Sequence, residues 1–345
     1  MAFNFFLLSF SFALFFIIKF TFSEAQMVPA TFVFGDSLVD VGNNNYLTFS
    51  INKANFRPYG ADFPTKIPTG RFSNGKNAAD FIAEQVGLPT SPPYLSFESK
   101  KDQASFLTGV SFASGGAGIF AGNDERFRQS IPLIRQVDDF SQVHAELNQQ
   151  LGSSGVEELL SKSLFHFVIG SNDILGYFGS SNLRKKSSPQ DYVASMALEL
   201  NDQLKRLHGY GARKFVIVGL AAIGCCPTIR KDFEGEECSE EINYWAAKYN
   251  DGLKTMLQNF KSELKDINYS YFDTYSISMN ICGHQDTGAT TDICQPPHCA
   301  NRSDHLFWDA YHPTEAYARI IADDMFHEGP SKYTFPMNVR DLAAL

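Results

Sequence analysis

Short apolar runs and long amphipathic segments take turns along this chain, and that alternation restricts its fold more than any other feature. Runs rich in β-branched and aromatic residues stand at Thr31–Phe34, Val110–Ala113, Phe165–Ile169, Lys214–Val218 and Asn268–Phe272. Segments of helical character lie at Asn77–Val86, Ile134–Leu151, Pro189–His208, Glu240–Leu264 and from Pro313 to about His327. Ser188-Pro189 supplies an N-cap and a first-turn proline to the third of these, and Gly209 and Gly211 close it. Strands joined through helix-length connections pair in parallel, and a parallel sheet has to be covered on both faces. The spacing therefore predicts an α/β fold, with helices on both sides of a central parallel sheet. The stretch from Val41 to Pro93, rich in Asn, Gly and Pro, reads mainly as loop draped over the strand ends. No repeat or low-complexity linker interrupts the chain, so residues 26–345 are expected to form a single domain.

Residues 1–25 stand apart from this pattern. Phe5–Ile18 is almost wholly apolar, Lys19 ends the run, and Ser23-Glu24-Ala25 offers small residues around a cleavage point before Gln26. This is the layout of a secretory signal peptide, and the run is shorter than the ~20 residues that span a bilayer. The expected product is a secreted protein, extracellular or in the cell wall, without stable membrane insertion. Its formal charge of -9 and lack of a Lys/Arg cluster argue against nucleic acid as a partner. The cysteines Cys225, Cys226, Cys238, Cys282, Cys294 and Cys299 all lie in the C-terminal half; in an exported chain they point to disulfides, with the pairing open. Asn268-Tyr269-Ser270 and Asn301-Arg302-Ser303 are N-glycosylation sequons.

In a parallel sheet, ligands bind beyond the carboxyl ends of the strands. Polar residues follow those ends here: Gly35-Asp36-Ser37 after the first, Ser114-Gly115-Gly116 after the second and Gly170-Ser171-Asn172-Asp173 after the third. Asp309 and His312 stand just before the last helix. A serine hydroxyl needs a base to become a nucleophile, and the base works best when a carboxylate fixes its tautomer. At a spacing of three, Asp309 can hold Nδ1 of His312 and leave Nε2 for Ser37. The backbone N–H groups of Ser37 and Gly115 and the Asn172 amide are candidate donors to an oxyanion. Singly, these residues read as a turn, a tight strand exit and a helix cap; together at strand ends they suggest acyl transfer.

The blocks themselves resemble a known family. Phe32 to Asn45, Thr69 to Gly75, Gly109 to Gly118, Ile169 to Asp173 and Phe307 to Glu315 are similar, in order, to the blocks of the plant GDSL esterase/lipases, within the SGNH hydrolases. The resemblance implies a three-layer α/β/α sandwich, flavodoxin-like in its sheet, and a secreted carboxylic-ester hydrolase acting on lipid or other acyl esters. It implies Ser37, His312 and Asp309 as catalytic residues, Ser37, Gly115 and Asn172 as the oxyanion hole, and no metal or organic cofactor. One segment departs from the pattern: Asn280 runs almost directly into Cys282-Gly283, where the family continues through a helical stretch and a loop. That shortening keeps two alternatives on the same scaffold in view, an acyltransferase using the same acyl-enzyme and a catalytically impaired glycosylated binding protein.

Other chemistries fit less well. Gly116-Ala117-Gly118 with Asp138 has dinucleotide-binding spacing, but Asp138 falls in a predicted helix, away from any ribose-binding strand. Cys282, His284, Cys294, His298 and Cys299 have zinc-ligand character, for which disulfides are the alternative in a secreted chain. Asp36 and Asp40 lack the further acidic cluster of a metal-dependent phosphatase.

Overall fold

The computed structural model describes residues 26–97, 105–121, 130–232, 237–283, 290–293, 299, 301–327 and 332–345. The expected leader at 1–25 lies outside them. Strands β1 (Thr31–Gly35), β2 (Gly109–Ser111), β3 (Leu164–Val168), β4 (Lys214–Val218) and β5 (Asn268–Phe272) pair in parallel in the order β2-β1-β3-β4-β5. A two-residue strand, which becomes β8 in chain order (Thr334–Phe335), adds antiparallel to β5. Between them, β6 (Thr290–Ile293) and β7 (His305–Phe307) form a separate parallel pair. The order 2-1-3-4-5 is that of a flavodoxin-like doubly wound sheet, whose switch point lies between β1 and β3.

The helices are α1 (Ala78–Gln85), α2 (Leu133–Lys162), α3 (Ser171–Gly179), α4 (Ser181–Lys186), α5 (Pro189–Gly209), α6 (Pro227–Arg230), α7 (Glu240–Glu263), α8 (Thr274–Gly283), α9 (Glu315–Phe326) and α10 (Val339–Ala344). Contacts of α2 with α5 and of α5 with α7 build one layer, and contacts of α1 with α9 and of α9 with α10 build the other. The α/β/α sandwich expected from the sequence is thus present. The sequence reading ended the second helix at Leu151. The observed α2 kinks at Gly152, which takes a φ of 71° that only glycine adopts readily, and helical backbone resumes beyond it.

The two faces of the sheet differ in kind. Because side chains alternate along a strand, Phe32, Phe34, Phe165, Phe167 and Phe215 share the side covered by α2 and α7. There Phe34 stacks at 5.0 Å on both Phe112 and Phe167, and Phe32 meets Phe140 of α2 edge-on at 5.3 Å. The opposite face carries smaller and polar residues. At one register level Ser111, Val33, His166, Val216 and Ser270 follow one another across β2, β1, β3, β4 and β5. Lys214 on this face hydrogen-bonds the Ala343 carbonyl of α10 at 3.0 Å.

The long loop between β1 and α1 is held down by its own polar side chains. Asn43 Nδ2 donates to the carbonyls of Ser111 (2.8 Å) and Ala113 (2.9 Å), and Asn44 Nδ2 donates to that of Gly115 (2.8 Å). Arg71 makes a fork to the buried Asp80 of α1, both N–H···O distances being 2.7 Å. Asp80 also closes a capping box with Asn77, and so ties the loop to the first turn of the helix.

Candidate active site

Gly35 ends β1 in a position where a side chain has no room: a Cβ there would lie 2.5 Å from both the Val168 carbonyl oxygen and Val39 Cγ2. Gln136 of α2 fixes the same residue, accepting from its N–H at 2.9 Å and donating to its carbonyl at 2.8 Å. The chain then turns: the Asp36 carbonyl accepts from Val39 and Asp40 N–H, and Asp36 Oδ1 accepts from Leu38 N–H. Ser37 sits half-buried on this turn, at the carboxyl edge of the sheet beside the switch point.

His312 is delivered by a short closed loop. Trp308 N–H bonds the His312 carbonyl at 2.8 Å and Thr314 N–H bonds the Leu306 carbonyl at 3.0 Å. Inside it, Asp309 Oδ1 accepts from the N–H groups of Tyr311 (2.9 Å) and His312 (2.8 Å), an Asx-type turn. The same carboxylate lies 2.8 Å from His312 Nδ1 through either oxygen, and His312 Nε2 lies 2.8 Å from Ser37 Oγ. Burial raises the Asp309 carboxyl, but the imidazole charge and the hydrogen bonds from His312, Tyr311 and Tyr59 outweigh it and hold the group below the usual aspartate range.

Two neighbours in this arrangement were not anticipated. Tyr59 Oη donates to Asp309 Oδ2 at 2.8 Å, and the Phe72 ring lies 4.9 Å from the His312 ring. Both come from the β1–α1 loop, which the sequence marked only as covering the strand ends. Burial and the Asp309 charge push the Tyr59 hydroxyl far above its ordinary value, so it stays a donor.

The expected oxyanion donors fare differently. Ser37 N–H has no partner among the described residues. Asn172, half-buried in the first turn of α3, uses Nδ2 to donate to the Ala117 carbonyl at 2.9 Å, which leaves the second proton of that amide. Gly115 lies under Phe72, whose ring a Cβ would meet at 2.5 Å, but its N–H donates to Asp40 Oδ2 at 3.0 Å. The next amide, that of Gly116, has no partner among the described residues. Asp40 is a loop organiser: its other oxygen accepts from Gly42 and Asn43 N–H at 2.7 and 2.8 Å.

Three buried carboxyls lie beneath the site. Burial raises Asp36 from 3.8 to about 7, and Asp40 and Asp173 to about 6, against the backbone N–H bonds that lower them. A raised value means that the folded chain keeps a proton at Asp36 that the unfolded chain releases, so stability from this group is lost as pH rises from about 4 to 7. Asp36→Asn keeps an acceptor for Leu38 N–H and removes the titration. Its unfolding free energy in urea is expected to gain on the wild type across that window; identical pH slopes would contradict the assignment.

The remaining expected groups are placed as follows. Asn301 is exposed in a loop, where it bonds Ser303 and Asp304, and Asn268 opens β5 half-buried beside Lys261. Cys225 pairs with Cys238, and Cys299 is disulfide-bonded. His284, Cys294 and His298 of the zinc-like cluster, and the Cys282 side chain, lie outside the described residues. Asp138 is on α2, paired with Arg206 of α5 at 2.6 Å. Among the described residues no group of three His, Cys, Asp or Glu side chains is arranged to hold a metal ion, and no helix is long and apolar enough to cross a membrane.

A hydroxyl, an imidazole and a carboxylate in hydrogen-bonded series, at the switch point of a doubly wound sheet, are what a serine ester hydrolase has at its centre. Residues 31–325 match the family model of GDSL-like lipase/acylhydrolases, and the chain belongs to that family. A GDSL esterase/lipase of Arabidopsis thaliana is 47% identical over 92% of this chain and 90% of its own length. Two others from the same plant are 37% identical (93% of each chain) and 36% identical (92% of this chain, 86% of the relative). Among solved structures, an α/β hydrolase enzyme from the metagenome of Lake Arreo, Spain, covers 87% of this chain and 94% of its own at 10% identity and a TM-score of 0.39, too loose a likeness to argue from.

Proposed function

We propose that the protein hydrolyses carboxylic esters through an acyl-enzyme on Ser37, with His312 as base and acid and Asp309 holding it. The observation that carries this reading is the unbroken series from Ser37 Oγ through His312 to Asp309, each link 2.8 Å. His312 Nε2 takes the Ser37 proton as Oγ attacks the acyl carbon, then returns it to the departing alkoxide. Water, deprotonated by the same nitrogen, attacks the acyl-enzyme and releases the acid, restoring Ser37. The amides of Ser37 and of the Gly115-Gly116 turn, together with the Asn172 side chain, supply donors for the oxyanion. Since Gly115 N–H is engaged by Asp40, Gly116 N–H is the donor of that turn assigned to this task. The family and the ester hydrolase names of its relatives support the reaction class. An alkyl organophosphonate should add one adduct, at Ser37, in peptide mapping of the whole chain; folded protein that takes up no label would leave only the scaffold.

Tyr59 is assigned as a positioning residue for Asp309. Loss of a hydrogen bond to a charged group predicts a kcat lower by about tenfold in Tyr59→Phe, with KM unchanged. Because Asp309 would keep more of its charge, the alkaline-going limb of kcat/KM should also shift to higher pH. An unmoved limb would mark Tyr59 as packing only. The further reading, that residues 1–25 are cleaved off during secretion and that Asn301 is glycosylated, is tested by N-terminal sequencing and glycosidase-sensitive mass of the protein made in plant cells.

A further inference from the structure

Two of the donors assigned to the oxyanion come from segments far apart in the chain. Gly116 N–H belongs to the turn after β2, and Asn172 to the first turn of α3. Both have to aim at one developing negative oxygen, and such donors work through fixed placement. The turn has few means of its own to keep that aim, since Gly115, Gly116 and Gly118 bring no side chains. One end is tied to the nucleophile's strand, where Ser114 N–H donates to the Gly35 carbonyl at 3.1 Å.

Asp173 ties the other end. It follows Asn172 directly on α3 and is 3% exposed. Its Oδ2 accepts from Ile119 N–H at 2.8 Å, and its Oδ1 from Phe120 N–H at 3.2 Å. Asn172 Nδ2 reaches the same turn two residues earlier, at the Ala117 carbonyl. Between these contacts lies Gly118, where a Cβ would stand 2.9 Å from Asp173 Oδ1 and 3.1 Å from Oδ2. The carboxylate thus occupies the space a side chain at 118 would need.

Burial opposes the charge on Asp173, and the groups that influence it supply no cation; Asp36 and Tyr249 are the titratable groups close to it. A neutral acceptor would cap two amides at less desolvation cost. What the charge adds is stiffness, because charge-assisted hydrogen bonds are about twice as strong as neutral ones.

We propose that Asp173 is a positioning residue for the oxyanion hole: its carboxylate clamps residues 119–120 to α3 and so sets the distance between Gly116 N–H and the Asn172 amide. The proposal rests on the ester hydrolase reading above. Asp173 acts through those two donors and has no bond to Ser37 or His312 among the described residues.

The test begins with Asp173→Asn, which keeps the volume but turns one accepting oxygen into a donor, so one of the two clamped amides loses its partner. For a simple ester kcat should fall by about 10–100-fold, short of the loss of a donor outright, with KM little changed. An alkyl boronic acid, tetrahedral once bound to Ser37, should lose affinity by a similar factor. Gly118→Ala, which only presses a methyl against the carboxylate, should move both readouts the same way and serves if Asp173→Asn does not fold. In an Asn172→Ala background Asp173→Asn should cost several-fold less, because one of the donors it places is already gone. An equal factor in both backgrounds marks a merely structural residue and overturns the proposal. So does a kcat within about twofold of wild type in both variants, or a rise in KM with kcat intact. A wild type that cleaves no ester and takes up no phosphonate fails the hydrolase reading and this proposal with it; an active wild type with indifferent variants fails this proposal alone.

Discussion

Alanine in place of His312 is expected to lower kcat for a simple ester by about 10⁴-fold or more, because the base of a triad acts as a unit with its nucleophile. Ser37→Ala should fall to a similar floor, and the double variant no further, since each change alone disables the same proton transfer. His312 is at the surface end of its loop, with its side chain 13% exposed, and its ring contacts Phe72 without being part of the main core. Thermal unfolding should therefore move little. The measurement is steady-state hydrolysis alongside the melting curve. Turnover within tenfold of wild type in His312→Ala would remove the imidazole from the mechanism, and a collapsed melting curve would assign it a structural part instead.

The second large effect is on stability. Arg71→Ala leaves the Asp80 carboxylate buried without its counter-charge, a change that typically costs about 3–5 kcal/mol. Asp80 is fully buried and Arg71 nearly so. The carboxylate also accepts from Thr90 Oγ1 at 2.8 Å and Asn77 N–H at 2.8 Å, so these bonds would remain around an uncompensated charge. Arg71→Lys should recover only part of the loss, because an ammonium cannot reproduce the paired N–H···O geometry. Urea unfolding reads the difference directly. A midpoint unchanged in Arg71→Ala would show that the pair is dispensable. Since Arg71 anchors the loop that carries Tyr59 and Phe72, esterase activity should fall at temperatures below the melting transition.

The strands were legible because burial on both faces writes itself as short apolar runs, and each of the five expected runs overlaps an observed parallel strand. The antiparallel β8 was not, since two residues, Thr334 and Phe335, carry no periodicity. The proximity of Asp309 to His312 could be read because three-residue spacing in a turn is local geometry. What reaches them from 250 residues away could not: Tyr59 has no local signal that it will end on Asp309. The amide of Gly115 shows the same limit. Its place at a strand exit was visible, but its engagement by Asp40 depends on a contact across 75 residues. Gly152 illustrates the converse, a glycine that reads as a helix end and serves as a kink.

The unequal faces of the sheet bear on how such a chain can diversify. Interlocked phenyl rings on the α2/α7 side leave few tolerated replacements, so that half of the molecule resists drift. On the α1/α9 side, small residues such as Ala78, Ala79 and Ala318 border open space, where exchange of one side chain alters volume without unseating a neighbour. Sequence change is therefore better absorbed on one surface of the sheet while the other preserves the scaffold, and libraries meant to vary the chain without losing its fold belong on α1 and α9.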